Sequence, residues 1–139
     1  MDDRDLALRN RIYAQLLELG RAPTIAGTGA DPDALRRLHD EHALVLEPDG
    51  SAIRMLAPFS GVATPYRVQA AGREWFANCV WDAFGILAAL GVGGHVSATC
   101  LDCGDQLEVE VADGRPKPDD LVAHFLLPAR RWWEDIVFT

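Results

Sequence analysis

Cys79 and Asp82 stand three residues apart within the longest apolar stretch of the chain. The spacing of apolar residues there predicts a helix, and on a helix a three-residue step puts both side chains on one face, one turn apart. A thiol and a carboxylate in contact can exchange a proton. Burial among Phe76, Trp81 and Phe84 would disfavour the charged form of each group and raise both pKa values, keeping them neutral until a soft metal displaces the proton. Such a site suits a thiophilic cation. The bare Cys-x-x-Asp spacing is more often what a small buried cysteine beside an exposed acid gives, so the pair alone is weak evidence of chemistry.

Cys100-Leu-Asp-Cys103 has the spacing of half a structural zinc site or of a redox pair. No second Cys-x-x-Cys and no Cys/His pair at zinc-finger spacing follows it, which argues against a closed zinc site within the chain. A strand-end turn without chemistry is the other reading. If either cysteine approached Cys79 in the fold, it would supply a second thiol ligand. Of the four histidines, only His39 and His42 are three apart, and both read as solvated positions on a surface helix. Trp132 and Trp133 beside Arg130 and Arg131 resemble a base-stacking patch, but Glu134 and Asp135 follow at once. Packing against the helix or the N-terminal part fits them better.

The elements that must position these residues follow from periodicity and punctuation. Leu6, Leu8, Ile12, Leu16 and Leu19 mark an amphipathic helix over Arg4 to Leu19, stopped by Gly20. Asp31-Pro-Asp starts a second helix, expected from Pro32 to His42. Residues 43–47 and 52–56 flank Pro48-Asp-Gly-Ser as a hairpin. Tyr66 to Ala70 reads as a strand ending at Gly72. Arg73 to Leu90, with Phe76, Cys79, Ala83, Ile86 and Leu90 at three- and four-residue steps, reads as a long, mostly buried helix ended by Gly91. Strands are expected at 95–99, 106–111 and 121–127, the last two separated by an Asp113-Gly-Arg-Pro-Lys-Pro turn. The expected class is α+β: a small winged-helix-like N-terminal part, residues 1–60, and a mixed or antiparallel sheet packed on the long helix, residues 61–139.

With 49% hydrophobic and 24% charged residues, the chain can bury a core. Its formal charge of −8 is shared by both halves, so neither offers the positive field that a phosphate backbone requires, and no nucleic-acid partner is expected. The acidic Met1-Asp-Asp-Arg-Asp start carries no apolar signal core, and no apolar run is long enough to span a bilayer. A cytoplasmic protein with three reduced cysteines and no membrane association is expected.

Arg73-Glu-Trp-Phe-Ala-Asn-Cys-Val-Trp-Asp-Ala-Phe-Gly-Ile-Leu-Ala-Ala-Leu-Gly, followed by His95-Val-Ser-Ala-Thr-Cys, resembles the core of the organomercurial (alkylmercury) lyase family. The resemblance runs from about residue 33 onward and is most specific over 73–100 and 124–139. It implies a winged-helix-like N-terminal part, a mixed C-terminal sheet and cleavage of the carbon-mercury bond by protonolysis, giving a hydrocarbon and Hg(II). Cys79 would be the first thiol and Asp82 the carboxylate, both touching mercury, which is substrate and product, so that no cofactor is required. The chemistry suits the residues, because mercury is soft and prefers thiolate, while breaking the carbon-metal bond needs an acid aimed at the developing carbanion. The family's second catalytic cysteine would follow Phe138-Thr139, so the lyase-like core is expected to be C-terminally incomplete. Cys100 matches a cysteine that looks structural in the family; Cys103 lies outside the motif.

The partners implied are an organomercurial, small thiols and a mercuric reductase that receives Hg(II). Two other functions are compatible with the residues. One is a non-catalytic soft-metal binder or sensor for mercury or copper; the other is a winged-helix transcriptional regulator, which the acidic balance disfavours.

Overall fold

The computed structural model of the protein describes residues 1–137; Phe138 and Thr139, the end of the apolar Ile136-Val-Phe segment, lie outside the described residues. Helix α1 spans Asp3–Leu19. The Asp2 carboxylate accepts from the Asp5 amide at 2.8 Å to start it, and Gly20 ends it at φ +72°. Leu8, Ile12 and Leu16, one turn apart, are buried, whereas Leu6 and Leu19 of the expected apolar face are exposed. Asp31 caps helix α2, Pro32–Asp40, which stops short of the expected end because His42 takes φ +59° and turns the chain away. Arg37 grips the buried Asp5 carboxylate at 2.9 and 3.2 Å and so ties α2 to α1.

Strands β1 (Val45–Leu46), β2 (Ile53–Leu56) and β3 (Phe59–Ser60) form an antiparallel sheet in that order, the hairpin falling where Pro48-Asp-Gly-Ser predicts it. A second antiparallel sheet holds β4 (Tyr66–Ala70), β5 (Arg73–Phe76), β6 (Gly94–Thr99), β7 (Gln106–Ala112) and β8 (Arg115–Lys117), in the order β5-β4-β6-β7-β8. Helix α3, Val80–Leu90, packs on β4 and β6 through Ala83, Ile86 and Leu87. Gly94 permits this approach, since a Cβ there would stand 2.9 Å from the Leu87 side chain of α3 as well as 2.4 Å from the Gln69 carbonyl oxygen of β4. The class is α+β, as expected. A buried cluster runs from Leu8, Ile12 and Leu16 through Leu38, Leu56 and Phe59 to Trp75, Ile86 and Val96. Among the described residues no helix is long and apolar enough to cross a membrane.

Three expectations are corrected. The long helix begins at Val80, not Arg73, because Ala71 and Gly72 take φ +50° and +73° and fold residues 73–76 back as a strand with Val68 opposite Trp75. Positive φ at both turn positions matches the twist of a tight hairpin. Phe76 and Cys79 imitate helical spacing across what is in fact a strand and a loop. Next, the expected turn over 113–118 contains β8: only Asp113 and Gly114 turn, at φ +53° and +71°, and Arg115–Lys117 pairs with β7. Pro116 is tolerated because β8 is an edge strand. Finally, residues 121–127 form no strand. With β8 occupying the edge of β7, this segment instead lies over the sheet, where Leu121, Val122 and Ala123 share a cavity with Phe84, Val96 and Val109.

Candidate active site

The β4-β5 hairpin delivers the chain to α3 through Ala77 and Asn78. Ala77 is buried, bridges to Phe59, and has its carbonyl held by the Thr64 hydroxyl at 2.7 Å. Cys79 follows as the N-cap of α3, with extended backbone (φ −152°, ψ −179°) and a carbonyl that accepts the first helical hydrogen bond, from Ala83 at 3.0 Å. Its side chain makes no capping hydrogen bond. Asp82 sits in the first turn. The two residues therefore do not share a helix face as expected; they meet as cap and first-turn acid, where unpaired amides and the helix dipole favour negative charge.

Burial pushes the Cys79 thiol above its ordinary value. The Asp82 and Trp81 amides, which face the sulfur, oppose that rise, while the Asp82 charge adds to it. Burial also raises Asp82, against the opposing effect of Asn78, whose side-chain N–H donates to the carboxylate at 2.9 Å. Both shifts have the direction expected from the sequence. The expected screen of aromatics is only partly present: Phe76 and Phe84 are half-buried, but Trp81 is 67% exposed and points away from the core. Tyr13, from α1, lies within electrostatic reach of Asp82, and its hydroxyl is fixed to the Ala57 carbonyl at 2.8 Å.

Cys79 opens into a cavity of about 140 Å³ walled by Tyr66, Val80, Leu101, His124, Phe125 and Trp132 among others. The wall is mostly apolar and one side of it is built by the segment after β8. Trp132 is anchored there by its indole N–H, which donates to the Leu127 carbonyl at 3.0 Å, and by a tilted contact with Phe125. Asp82 does not line this cavity; its carboxylate lies against Asn78 on the side facing Tyr13. Cys79 is the one sulfur in the wall among the described residues.

The family model of the alkylmercury lyases, MerB, matches residues 59–139. That is more than half of the chain. The chain belongs to the alkylmercury lyase family. A crystal structure of the mercury-bound form of MerB2 has a similar fold, with a TM-score of 0.62 and 23% identity, over 86% of this chain and 62% of that one. This alkylmercury lyase family member thus spans under two thirds of the length of the solved relative. No curated protein sequence matches it.

Other residues weighed in the sequence fall outside the cavity wall. Cys100 and Cys103 sit at the β6-β7 turn. Amides of Cys103 and Asp102, with the Cys103 thiol, hold Cys100 below its ordinary value. The Asp105 amide pulls Cys103 down, but the Cys100 sulfur, the Asp105 side chain and burial outweigh it and raise Cys103. His39 is half-buried rather than solvated, its Nδ1 accepting from the Leu46 amide at 3.2 Å. His42 stacks on Trp133 at 3.9 Å, so that tryptophan does pack against the N-terminal part. Tyr66 and Asn78 were not singled out from the sequence. Asn78 adjoins Cys79 and a helix-start reading at Cys79 would have found it; Tyr66 reaches the cavity only through strand register.

Proposed function

We propose that this chain carries the carbon-mercury cleaving site of an organomercurial lyase, with Cys79 as the thiol that takes the metal and Asp82 as the proton carrier. The observation that carries this is the union of a cysteine opening into a small apolar cavity with a carboxylic acid held one helical turn away, in a chain of the alkylmercury lyase family. Apolar cavities of about 150 Å³ admit benzene, so methyl- and phenylmercury are the proposed substrates.

In the first step the Cys79 thiol loses its proton to Asp82 or solvent, a sulfur-mercury bond forms, and the ligand that accompanied R-Hg⁺ leaves. The amides of Trp81 and Asp82 favour the thiolate at that moment. In the second, the protonated Asp82 gives its proton to the carbon as the carbon-mercury bond breaks. The hydrocarbon departs, and Hg(II) stays on sulfur with the carboxylate beside it. A small thiol then removes the metal, with a mercuric reductase as the proposed recipient. The raised Cys79 favours the thiol until mercury arrives, and the raised Asp82 favours holding the proton once it has been received, ready for transfer to carbon. The N-terminal elements, read as a reduced winged-helix unit, serve as scaffold, with Tyr13 backing Asp82.

The test is release of methane from methylmercury, or benzene from phenylmercury, by the chain in excess small thiol. Release that disappears in Cys79→Ser supports the proposal, and no release refutes it. A single sulfur in the cavity wall favours a second reading, a soft-metal binder without turnover. That would give stoichiometric organomercury uptake at Cys79 and no hydrocarbon.

A further inference from the structure

Cys100 and Cys103 occupy the tip of the β6-β7 hairpin, beyond the Thr99-Gln106 pair. The Cys100 amide donates to the Asp105 carbonyl at 2.8 Å, and the Gly104 amide donates to the Cys100 carbonyl at 2.9 Å. Gly104 closes the turn at φ +79°, a left-handed conformation that glycine adopts without strain. This winding sets both thiols on one tight turn at the hairpin tip, within interaction range of each other. Neither sulfur is in a disulfide, and Cys103 is exposed.

Two sulfurs on one closed turn make the second metal-sulfur bond intramolecular, so the pair holds an ion against free monothiols. Thiolates select soft cations. A tetrahedral ion needs four donors, and among the described residues no group of three or more His, Cys, Asp or Glu could hold a metal. A two-coordinate d¹⁰ cation needs only the two sulfurs.

We propose that Cys100 and Cys103 form a two-thiolate chelate for Hg(II), separate from the Cys79 cavity and adjoining it. Leu101, between the two cysteines, lines that cavity, and Tyr66 lies within electrostatic reach of both Cys79 and Cys100. On binding, both thiols lose their protons, two mercury-sulfur bonds form and the two ligands that accompanied the ion leave, with no change of oxidation state. That the ion is the one released at Cys79 rests on the proposed lyase function; the chelate itself does not.

The experiment uses the full chain carrying Cys79→Ser, titrated with mercuric chloride in excess glutathione and followed by thiolate-to-mercury charge-transfer absorption and native mass spectrometry. One Hg(II) per chain with loss of two protons is expected, weakened at least about 100-fold when Cys103→Ser or Cys100→Ser is added. No retained mercury, retention unchanged by Cys103→Ser, or one mercury bridging two chains would overturn the proposal. Hydrocarbon release by Cys103→Ser in excess thiol should equal that of the unaltered chain. A chain that releases no hydrocarbon but retains mercury in the Cys79→Ser form refutes the lyase function and leaves the chelate standing.

Discussion

Asn78 donates its side-chain N–H to the Asp82 carboxylate at 2.9 Å across the first turn of α3, while its own side-chain oxygen is buried without a hydrogen-bond partner. The donated bond favours the ionised acid and partly offsets the effect of burial. Asn78 is therefore a positioning residue for Asp82, the proposed proton carrier. In Asn78→Leu, burial acts unopposed and Asp82 titrates at higher pH, moving the corresponding limb of the hydrocarbon-release profile upward. Carboxyl NMR titration provides a check independent of turnover. An unmoved Asp82 titration would refute the role.

Asp82→Asn should slow hydrocarbon release by about 10² to 10⁴-fold, the range for loss of a positioned acid or base. Mercury uptake at Cys79 should persist. The same substitution has a sign in stability. Because Asp82 titrates higher folded than unfolded, the folded state retains a proton that the unfolded chain has released, and stability falls as pH rises between those two values. Asp82→Asn should flatten that fall in denaturation curves measured across the window.

Cys79 occupies an N-cap without making a capping hydrogen bond. Serine is among the preferred residues there, and its hydroxyl can accept from the first-turn amides. Cys79→Ser should therefore abolish hydrocarbon release and, by urea denaturation, raise stability by about 0.5–1 kcal/mol. A loss of stability would mean that the sulfur's packing outweighs the vacant cap.

Arg37 holds the buried Asp5 carboxylate below the ordinary range by hydrogen bonding. Its contribution is fully present above the ordinary carboxylate pKa and is lost as pH falls from there through the lowered folded value. Asp5→Asn should thus weaken the chain at neutral pH and reduce the acid dependence of its thermal midpoint. An unchanged acid limb would assign that dependence to other carboxylates.

The cysteines should react in a fixed order. Amides and the neighbouring thiol lower Cys100, whereas burial raises Cys79, so Cys100 carries more thiolate near neutral pH. Brief iodoacetamide treatment followed by peptide mass mapping should find Cys100 modified before Cys79. The reverse order would mean that access, not ionisation, governs the reaction.

The sequence by itself determined the features that depend on local pattern. Leu8, Ile12 and Leu16 lie one helical turn apart, Gly20 ends the first helix, and Asp31-Pro-Asp starts the second. The motif around Cys79 and Asp82 was enough to name the family. Tertiary structure decided what the apolar stretch over 73–90 becomes. Its first part has spacing compatible with a helix, and only pairing of β5 with β4 at the Ala71-Gly72 turn makes it a strand and moves Cys79 from a helix face to a helix cap. The same holds for the cavity. Tyr66 comes from β4, Leu101 from the β6-β7 turn, and Phe125 and Trp132 from a segment that finds the sheet edge already taken by β8. Periodicity records which residues neighbour one another along an element, whereas sheet pairing and the walls of a cavity join residues distant in the chain, which local spacing does not encode.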